Sequence, residues 1–225
     1  MNIREFKPSA GWRAFSGEVG IIVIGVLIAL GAEQVLQTIN QRRELRELRA
    51  AVDNEIAFGL GAYVARLKQN SCAEARLDEL GRWLQSWRDG KPTMLVGMIS
   101  APRSGPAGTS VWASRDPEVM SPMPLRLKLA YGSIYDEFAN NEVQRLDERM
   151  TWLTLAEFDN ADQLDVSSMM RLQGLITRAR WRAKNITGNA RYIAYLAQPM
   201  GIKPQPYNFP ASEMAELCRP ILRES

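Results

Sequence analysis

The two cysteines, Cys72 and Cys218, are the residues whose type and number point most directly to a chemistry. Two cysteines in one chain can form a disulfide, and structural disulfides persist in oxidising compartments such as the bacterial periplasm. A bridge between them would close a loop of 146 residues, which the chain-entropy model values at up to about 5 kcal/mol. The alternative is two buried free thiols, which pack as small apolar residues.

The chain contains no histidine, so the usual general base and the commonest metal ligand are missing. Three aspartates lie three residues apart within 159–165, but they lack the alternate ligands, the glycine and the terminal glutamate of an EF-hand. We interpret them as loop and helix-cap carboxylates. A carboxylate pair, Glu137 with Glu142 or Asp147, is a hydrolase arrangement that stays open, although nothing selects it. We predict a protein that is not an enzyme, with no cofactor, no metal and no catalytic residue.

The charged residues favour a lipid or protein partner over nucleic acid. The chain has 28 Lys and Arg against 25 Asp and Glu, a balance too even to imply nucleic-acid binding. Within "RARWRAK", residues 178–184, Arg178 and Arg182 are candidate contacts to anionic lipid or to an acidic partner. The alternative is a solvated basic face paired with acids of the same chain. Trp112, in a loop rich in Gly, Pro and Ser, is predicted to insert into the helical body or a partner.

The stretch "GEVGIIVIGVLIALGAEQ", residues 17–34, is the strongest apolar signal in the chain. Its charge-free part, 19–32, would span about 21 Å as a helix, and apolar flanks extend it towards the roughly 30 Å of a bilayer core. Trp12 and Arg13 suit the membrane interface. We therefore predict a transmembrane anchor over residues 14–39, with the lipid bilayer as a partner. The alternatives are a buried helix of a soluble domain and a cleavable signal peptide.

One side of the anchor is suited to packing against another membrane helix. Gly25 and Ala29 form a small-xxx-small step, which lets two membrane helices approach closely. Taken at 100° per residue, this face consists of Glu18, Ile22, Gly25, Ala29, Ala32 and Glu33. The alternative is a lone anchor without a helix partner.

The charges that flank the anchor barely orient it, because both flanks carry several basic residues. The two cysteines favour an oxidising compartment for the domain. We therefore predict that residues 1–13 lie in the cytoplasm, that the chain crosses the bacterial inner membrane once, and that residues 40–225 form a periplasmic domain.

The run "EVGIIVIGVLIALGAEQ", followed by an arginine-rich helix with regularly spaced leucines, resembles the opening of a group of poorly characterised bacterial single-pass membrane proteins. The resemblance covers about the first 60 residues, and "SCAEARLDEL" and "AELCRPIL" resemble the group more weakly. It implies a membrane location and a helical shape, and it carries no activity.

Helices must position all of these residues. Beyond the anchor, apolar residues recur at three- and four-residue spacing, and glycines, prolines and capping residues separate the segments. One helix continues from the anchor as a stalk to Gly59 and Gly61, and residues 90–124 form an irregular loop. The other predicted helices cover 60–88, 125–138, 141–155 (with Val143, Leu146, Met150 and Leu153 buried), 166–198 and 211–222. The pattern predicts an all-α fold, an antiparallel helical bundle beyond a transmembrane helix.

Two functions fit these expectations. The first is a non-enzymatic inner-membrane accessory or scaffold subunit that binds a larger membrane protein complex or a second copy of itself. The second is a membrane-anchored periplasmic bundle that senses or binds a small ligand in an aromatic-lined pocket.

Overall fold

The computed structural model describes residues 11–222, with side chains from residue 19 onward. No strand forms in this part of the chain, and a single isolated bridge pairs Leu95 with Leu222. The predicted all-helical class is confirmed. The helices are α1 (Gly11–Leu67), α2 (Asn70–Arg88), α3 (Ser110–Ala113), α4 (Pro117–Met120), α5 (Leu125–Ala156), α6 (Val166–Ala197) and α7 (Ala211–Cys218), with a 3₁₀ turn at Gln198–Met200.

Helices α1 and α2 form one long rod, interrupted only by a two-residue turn at 68–69. Helix α5 runs beside this rod in the same direction, since Tyr131 donates to Asp53 and, further along both helices, Arg66 pairs with Glu148. Helix α6 runs in the opposite direction. The body of the protein is therefore a three-helix bundle built from the rod and the α5–α6 hairpin.

The direction of α6 follows from its contacts with α2. Asn70 donates to Thr187 at 3.0 Å, whereas Glu74, one turn later, pairs with Arg180. Residue numbers rise on α2 as they fall on α6, so the two helices are antiparallel. The predicted antiparallel arrangement therefore holds for α6, whereas α5 runs parallel to the rod.

Two apolar cores fill the bundle. The core nearer the apolar end of α1 lies between α1, the first half of α5 and the second half of α6; among its members are Val52, Ile56, Leu60, Tyr131, Ile134, Phe138 and Ile193. The far core lies between α2, the second half of α5 and the first half of α6; among its members are Leu77, Leu80, Trp83, Trp152, Leu155, Leu172 and Ile176.

Two extended segments run along the rod in opposite directions. The returning segment, residues 91–109, comes back from the end of α2, and its Arg103 backbone exchanges two 2.8 Å hydrogen bonds with the Gln69 side chain. The outgoing segment, residues 201–210, follows α1 towards α2, and its Gln205 N–H donates to the Ala57 carbonyl at 2.9 Å. The chain thereby covers surfaces of the rod that α5 and α6 leave open.

The predicted helix end at Gly59 and Gly61 is wrong, because α1 continues through both to Leu67. The glycines serve close packing. A Cβ on Gly61 would clash with the Gln205 carbonyl oxygen, and one on Gly59 would lie 2.8 Å from the Phe138 ring. Both positions require a residue without a side chain, because only then can the outgoing segment and α5 contact the helix.

The predicted division of 125–155 into two helices is also wrong, because α5 is continuous over 32 residues. Its buried face in the second half was misplaced as well. Val143, Leu146, Met150 and Leu153 are exposed. The buried residues there include three polar ones that an apolar pattern does not select, Asn141, Glu148 and Thr151, together with Trp152 and Leu155.

The predicted helix over 166–198 is confirmed as α6. Asp165 caps it, since its carboxylate accepts the Ser168 N–H at 2.7 Å, and this bond holds the pKa of Asp165 below its ordinary value. The last helix ends at Cys218 rather than at residue 222, because Pro220 cannot continue a helix.

Candidate functional site

The apolar part of α1 is uncovered by the rest of the described chain. A stretch of 18 residues in this part has a mean hydropathy of 2.3, and none of its residues is buried. The Ile21 side chain, for example, is 74% exposed. Within residues 19–222 this is the one helix long and apolar enough to cross a membrane. So large an apolar surface is stable only when lipid or another protein covers it.

The predicted packing face lies within this uncovered segment. The face residues from Ile22 to Glu33 follow one another at helical spacing on an unbroken helix. A Cβ on Gly25 would meet nothing within 4 Å, so no other element of the described chain occupies that side. The side chains of Trp12, Arg13 and Glu18 and the predicted cytoplasmic residues 1–10 lie outside the described residues.

Between the apolar segment and the near core, residues 40–51 of α1 are almost all exposed and form a stalk, and Arg43 pairs with Glu47 one turn on at 2.9 Å. Leu45 and Leu48 within this stretch are partly buried and pack against the edge of the near core. At 1.5 Å per residue this stretch is about 18 Å long. The same helix then enters the near core at Val52. A sharp bend between the apolar segment and the bundle would therefore have to break helical hydrogen bonds.

The two cysteines meet at the other end of the protein. The sulfur atoms of Cys72 and Cys218 are joined at 2.00 Å, with their Cα atoms 4.8 Å apart, so the predicted pairing is confirmed. It ties α2 to the end of α7. The Arg76 guanidinium, buried beside it, donates to the carbonyls of Leu217 and Arg219 at 3.0 and 2.6 Å. These carbonyls end α7 and have no helical partner, so the buried cation satisfies them.

A buried ion pair, which the sequence patterns did not indicate, links α1 to α5. The Arg66 and Glu148 side chains are 1% and 2% exposed, and Arg66 Nε donates to Glu148 Oε2 at 3.1 Å. Arg66 Nη2 also donates to Glu148 Oε1, and Arg66 Nη1 donates to Asn70 Oδ1 at 2.7 Å. The two residues are 82 positions apart, so no local spacing could have indicated the pair.

An open cleft of about 450 Å³ lies over this ion pair. Its charged groups are largely paired within the chain: Arg103 with Glu213 at 3.1 Å, and Arg145 with Glu142. The hydrogen bond from Arg145 holds the pKa of Glu142 below its ordinary value. The cleft is lined by the 100–104 backbone and side chains of α5 and α7, among them Ser104, Arg149, Leu153 and Glu216.

Trp112 inserts into the body of the protein. Its ring stacks on Tyr135 at a centroid distance of 5.0 Å, and Arg115 lies 4.2 Å above it. The buried Glu55 carboxylate accepts the Val111 N–H at 3.1 Å and the Tyr135 hydroxyl at 2.6 Å. This carboxylate holds the loop helix α3 against α1. Trp112 therefore contributes to docking of the loop.

Burial keeps three tyrosines of the near core neutral. Burial, joined by the hydrogen bond to Asp53, raises the pKa of Tyr131 to about 12. Burial also raises the pKa of Tyr63, and burial with the bond to Glu55 raises that of Tyr135.

The basic run of α6 is divided between internal pairs and solvent. Arg182 pairs with Asp147 of α5 and lies 4.5 Å over the Trp181 ring. Arg180 pairs with both Glu74 and Asp78 of α2. Arg178 is exposed and stays a candidate for contact with lipid or an acidic partner. Two of the four basic residues of the run, Arg180 and Arg182, therefore hold the helices together.

No group of three or more Cys, Asp or Glu side chains within the described residues is arranged to hold a metal ion. The Asp159 carboxylate accepts the Ile99 N–H at 2.7 Å and so anchors the returning segment, while Asp165 caps α6. The loop and helix-cap interpretation of these two aspartates is confirmed.

Comparison with protein-family models gave no match, and comparisons with curated proteins and with solved structures found no similar chain. The resemblance of the first 60 residues to bacterial single-pass membrane proteins therefore stays a prediction.

Proposed function

We propose that this protein is a non-enzymatic, single-pass membrane protein of the bacterial inner membrane that serves as an accessory or scaffold subunit. It holds a helical bundle at a fixed distance from the bilayer for a membrane protein partner or a second copy of itself. The observation that carries the proposal is the continuity of α1, from an apolar segment that no other described element covers into the core of the bundle.

The continuity of α1 favours a mechanical role. A flexible linker would let the bundle move freely relative to the bilayer, whereas an unbroken helix transmits position and orientation. The stalk of about 18 Å already contacts the near core through Leu45 and Leu48. It therefore keeps the bundle close to the lipid headgroups and to the extramembrane parts of neighbouring membrane proteins.

The location of the bundle is supported by the Cys72–Cys218 disulfide. Such a bond persists in the periplasm and is kept reduced in the cytoplasm. With the bundle in the periplasm and one span, the short N-terminal segment lies in the cytoplasm. Anionic lipid or an acidic partner is the proposed contact of Arg178.

The partner of the anchor is proposed to bind the small-residue face. Gly25 and Ala29 lie four residues apart on the uncovered segment, and small residues at this spacing let helices pack closely in lipid, where the hydrophobic effect does not drive association. Glu33 ends the face near the headgroup region, where a carboxylate remains hydrated.

The test is co-purification of the full-length protein from native membranes in mild detergent, followed by identification of whatever it retains. The double variant Gly25→Leu with Ala29→Leu should reduce the retained protein about tenfold, because two leucines prevent close approach. The matched control is Val23→Leu with Val26→Leu, which adds volume elsewhere on the helix. A wild type that retains no membrane protein and no second copy would contradict the proposal.

A second candidate function, small-ligand binding, is favoured by the 450 Å³ cleft over the Arg66–Glu148 pair. Its arginines and serines suit a small polar ligand with an acidic group. A screen of small carboxylates and phosphates for a change in melting temperature tests it, with Arg149→Ala as the variant that should abolish any shift. The absence of any shift in the wild type would remove this candidate.

A further inference from the structure

The second half of α5 carries a row of exposed apolar side chains on the face that points away from the bundle. They lie three and four residues apart, the spacing of the a and d positions of a coiled coil, and the four large ones are between 46% and 68% exposed. No other element of the described chain covers the first three large ones, and Leu153 also borders the cleft that the 100–104 backbone and α7 line. We refer to this row as the α5 seam: Ala139, Val143, Leu146, Met150 and Leu153.

We propose that the α5 seam binds the same seam of a second copy of this chain, as a short parallel two-stranded coiled coil outside the membrane. This inference rests on the proposed function, because it requires both copies to be anchored in one bilayer. It specifies the self-association that the proposed function leaves open.

The residue types along the seam favour two strands. Val143 and Met150 occupy a positions, and Leu146 and Leu153 occupy d positions. A β-branched residue at a with leucine at d favours parallel dimers over trimers and tetramers. Val143 and both leucines fit this combination, whereas Met150 is unbranched. Asp136, the next a position towards the N-terminus, is charged and ends the uninterrupted apolar row.

The direction of α5 matches a parallel pair. Helix α5 runs in the same direction as α1, and α1 leads out of the proposed membrane segment. Two copies anchored in the same bilayer and related by a two-fold axis along the membrane normal have parallel α1 helices. Their α5 helices are then also parallel and in register, so that each seam residue faces its own copy.

The charges beside the seam do not oppose this pairing. In a parallel pair, the g position of one helix faces the following e position of the other, which brings Glu142 towards the second copy's Asp147. Each acid already has a cation in its own chain, since Arg145 pairs with Glu142 and Arg182 with Asp147. Like-charge repulsion across the seam is thereby reduced.

Membrane anchoring compensates for the shortness of the seam. Two heptads are too few for a stable coiled coil of free helices in water. Confinement of both copies to one bilayer raises their effective concentration, as a short tether does, and the pre-formed α5 is already held rigidly by the bundle.

The experiment is oxidative cross-linking of the full-length protein in native membranes. Since Cys72 and Cys218 are already bonded, a third cysteine is the only free thiol. Leu146→Cys and Leu153→Cys are each treated with copper–phenanthroline and analysed on non-reducing gels. Gln173→Cys, on the exposed outer face of α6, is the matched control.

Both seam variants should form homodimers at least tenfold more efficiently than the control. The pair of positions fixes direction: if two antiparallel helices met at Leu146, their residues 153 would be about 21 Å apart, beyond the roughly 7 Å between Cα atoms that a disulfide can bridge. Adding Met150→Glu to Leu153→Cys should reduce homodimer formation about tenfold, whereas adding Thr177→Glu should leave it unchanged.

Three results would overturn the inference. Homodimers at only one of the two positions would exclude a parallel, in-register seam. Seam variants that cross-link no better than Gln173→Cys would exclude the seam altogether. Cross-linking of Leu146→Cys to a different membrane protein would overturn self-association through the seam while supporting the proposed scaffold function. If the proposed scaffold function is also wrong, the pull-down from native membranes will retain neither another membrane protein nor a second copy.

Discussion

Removal of the Cys72–Cys218 disulfide is the perturbation whose effect can be worked out most fully. The bond closes a loop of 146 residues, and the chain-entropy model assigns about 5 kcal/mol to a loop of that length. The folded state should change little, because Arg76 still binds the Leu217 and Arg219 carbonyls and Ile221 remains in the far core. Most of the cost therefore arises from the greater freedom of the unfolded chain.

We expect the double variant Cys72→Ser with Cys218→Ser to unfold with a free energy about 3 to 5 kcal/mol below that of the wild type. For a chain of this size, that corresponds to a fall in Tm of roughly 6 to 20 °C. The assay is urea and thermal unfolding of the full-length protein in mild detergent, followed by circular dichroism. Reductant should lower the free energy of unfolding and the Tm of the wild type to the values of the variant, and it should not change those of the variant.

Two outcomes would refute this reasoning. If the variant loses less than about 1 kcal/mol and the wild type ignores reductant, the cysteines are free thiols. If limited proteolysis cuts the C-terminal segment of the reduced wild type at once, Arg76 does not hold that segment as its hydrogen bonds indicate. In reduced protein, Arg76→Met should release the segment, and Arg82→Met, a control on the same helix, should not.

Three further expectations test the bundle. Glu148→Leu should cost about 3 to 5 kcal/mol in urea unfolding, because it leaves the buried Arg66 charge unpaired, and adding Arg66→Met should recover much of this loss; equal losses in the single and double variants would contradict the pairing. Gly61→Ala should destabilise, because its Cβ would clash with the outgoing segment, whereas Gly81→Ala, with nothing within 4 Å, should stabilise by up to about 1 kcal/mol; the same sign for both would be inconsistent with the packing described. The pKa of Tyr131 lies at about 12 in the folded protein, above its unfolded value of 10.0, so its contribution to stability is complete below pH 10 and is lost as the pH rises towards 12. Between pH 10 and 12 the free energy of unfolding should therefore fall less in Tyr131→Phe than in the wild type. An equal fall in the two proteins would refute this.

Elements with uninterrupted apolar spacing and a clear cap could be predicted from the sequence. Helix α6 begins after Asp165 and keeps its period for 32 residues, so its bounds were predicted to within one residue. The disulfide followed from the count of cysteines. The exposed apolar segment followed from composition and length.

Elements whose geometry depends on a distant partner could not be predicted. Gly59 and Gly61 are typical helix-ending residues, and only distant partners, Phe138 for Gly59 and Gln205 for Gly61, give them a packing role. In α5 the buried face contains Glu148, whose burial depends on Arg66, 82 positions away. The apolar residues opposite it therefore indicated the wrong face, and the α5 seam was mistaken for core.

The particle mass of the full-length protein extracted from native membranes in mild detergent tests the central claim most directly. Light scattering with detergent subtraction gives the protein mass alone. We expect a mass at least twice the 25.3 kDa of one chain, lowered by the Gly25→Leu and Ala29→Leu pair. A particle of 25.3 kDa that co-purifies with no other membrane protein would contradict a scaffold function.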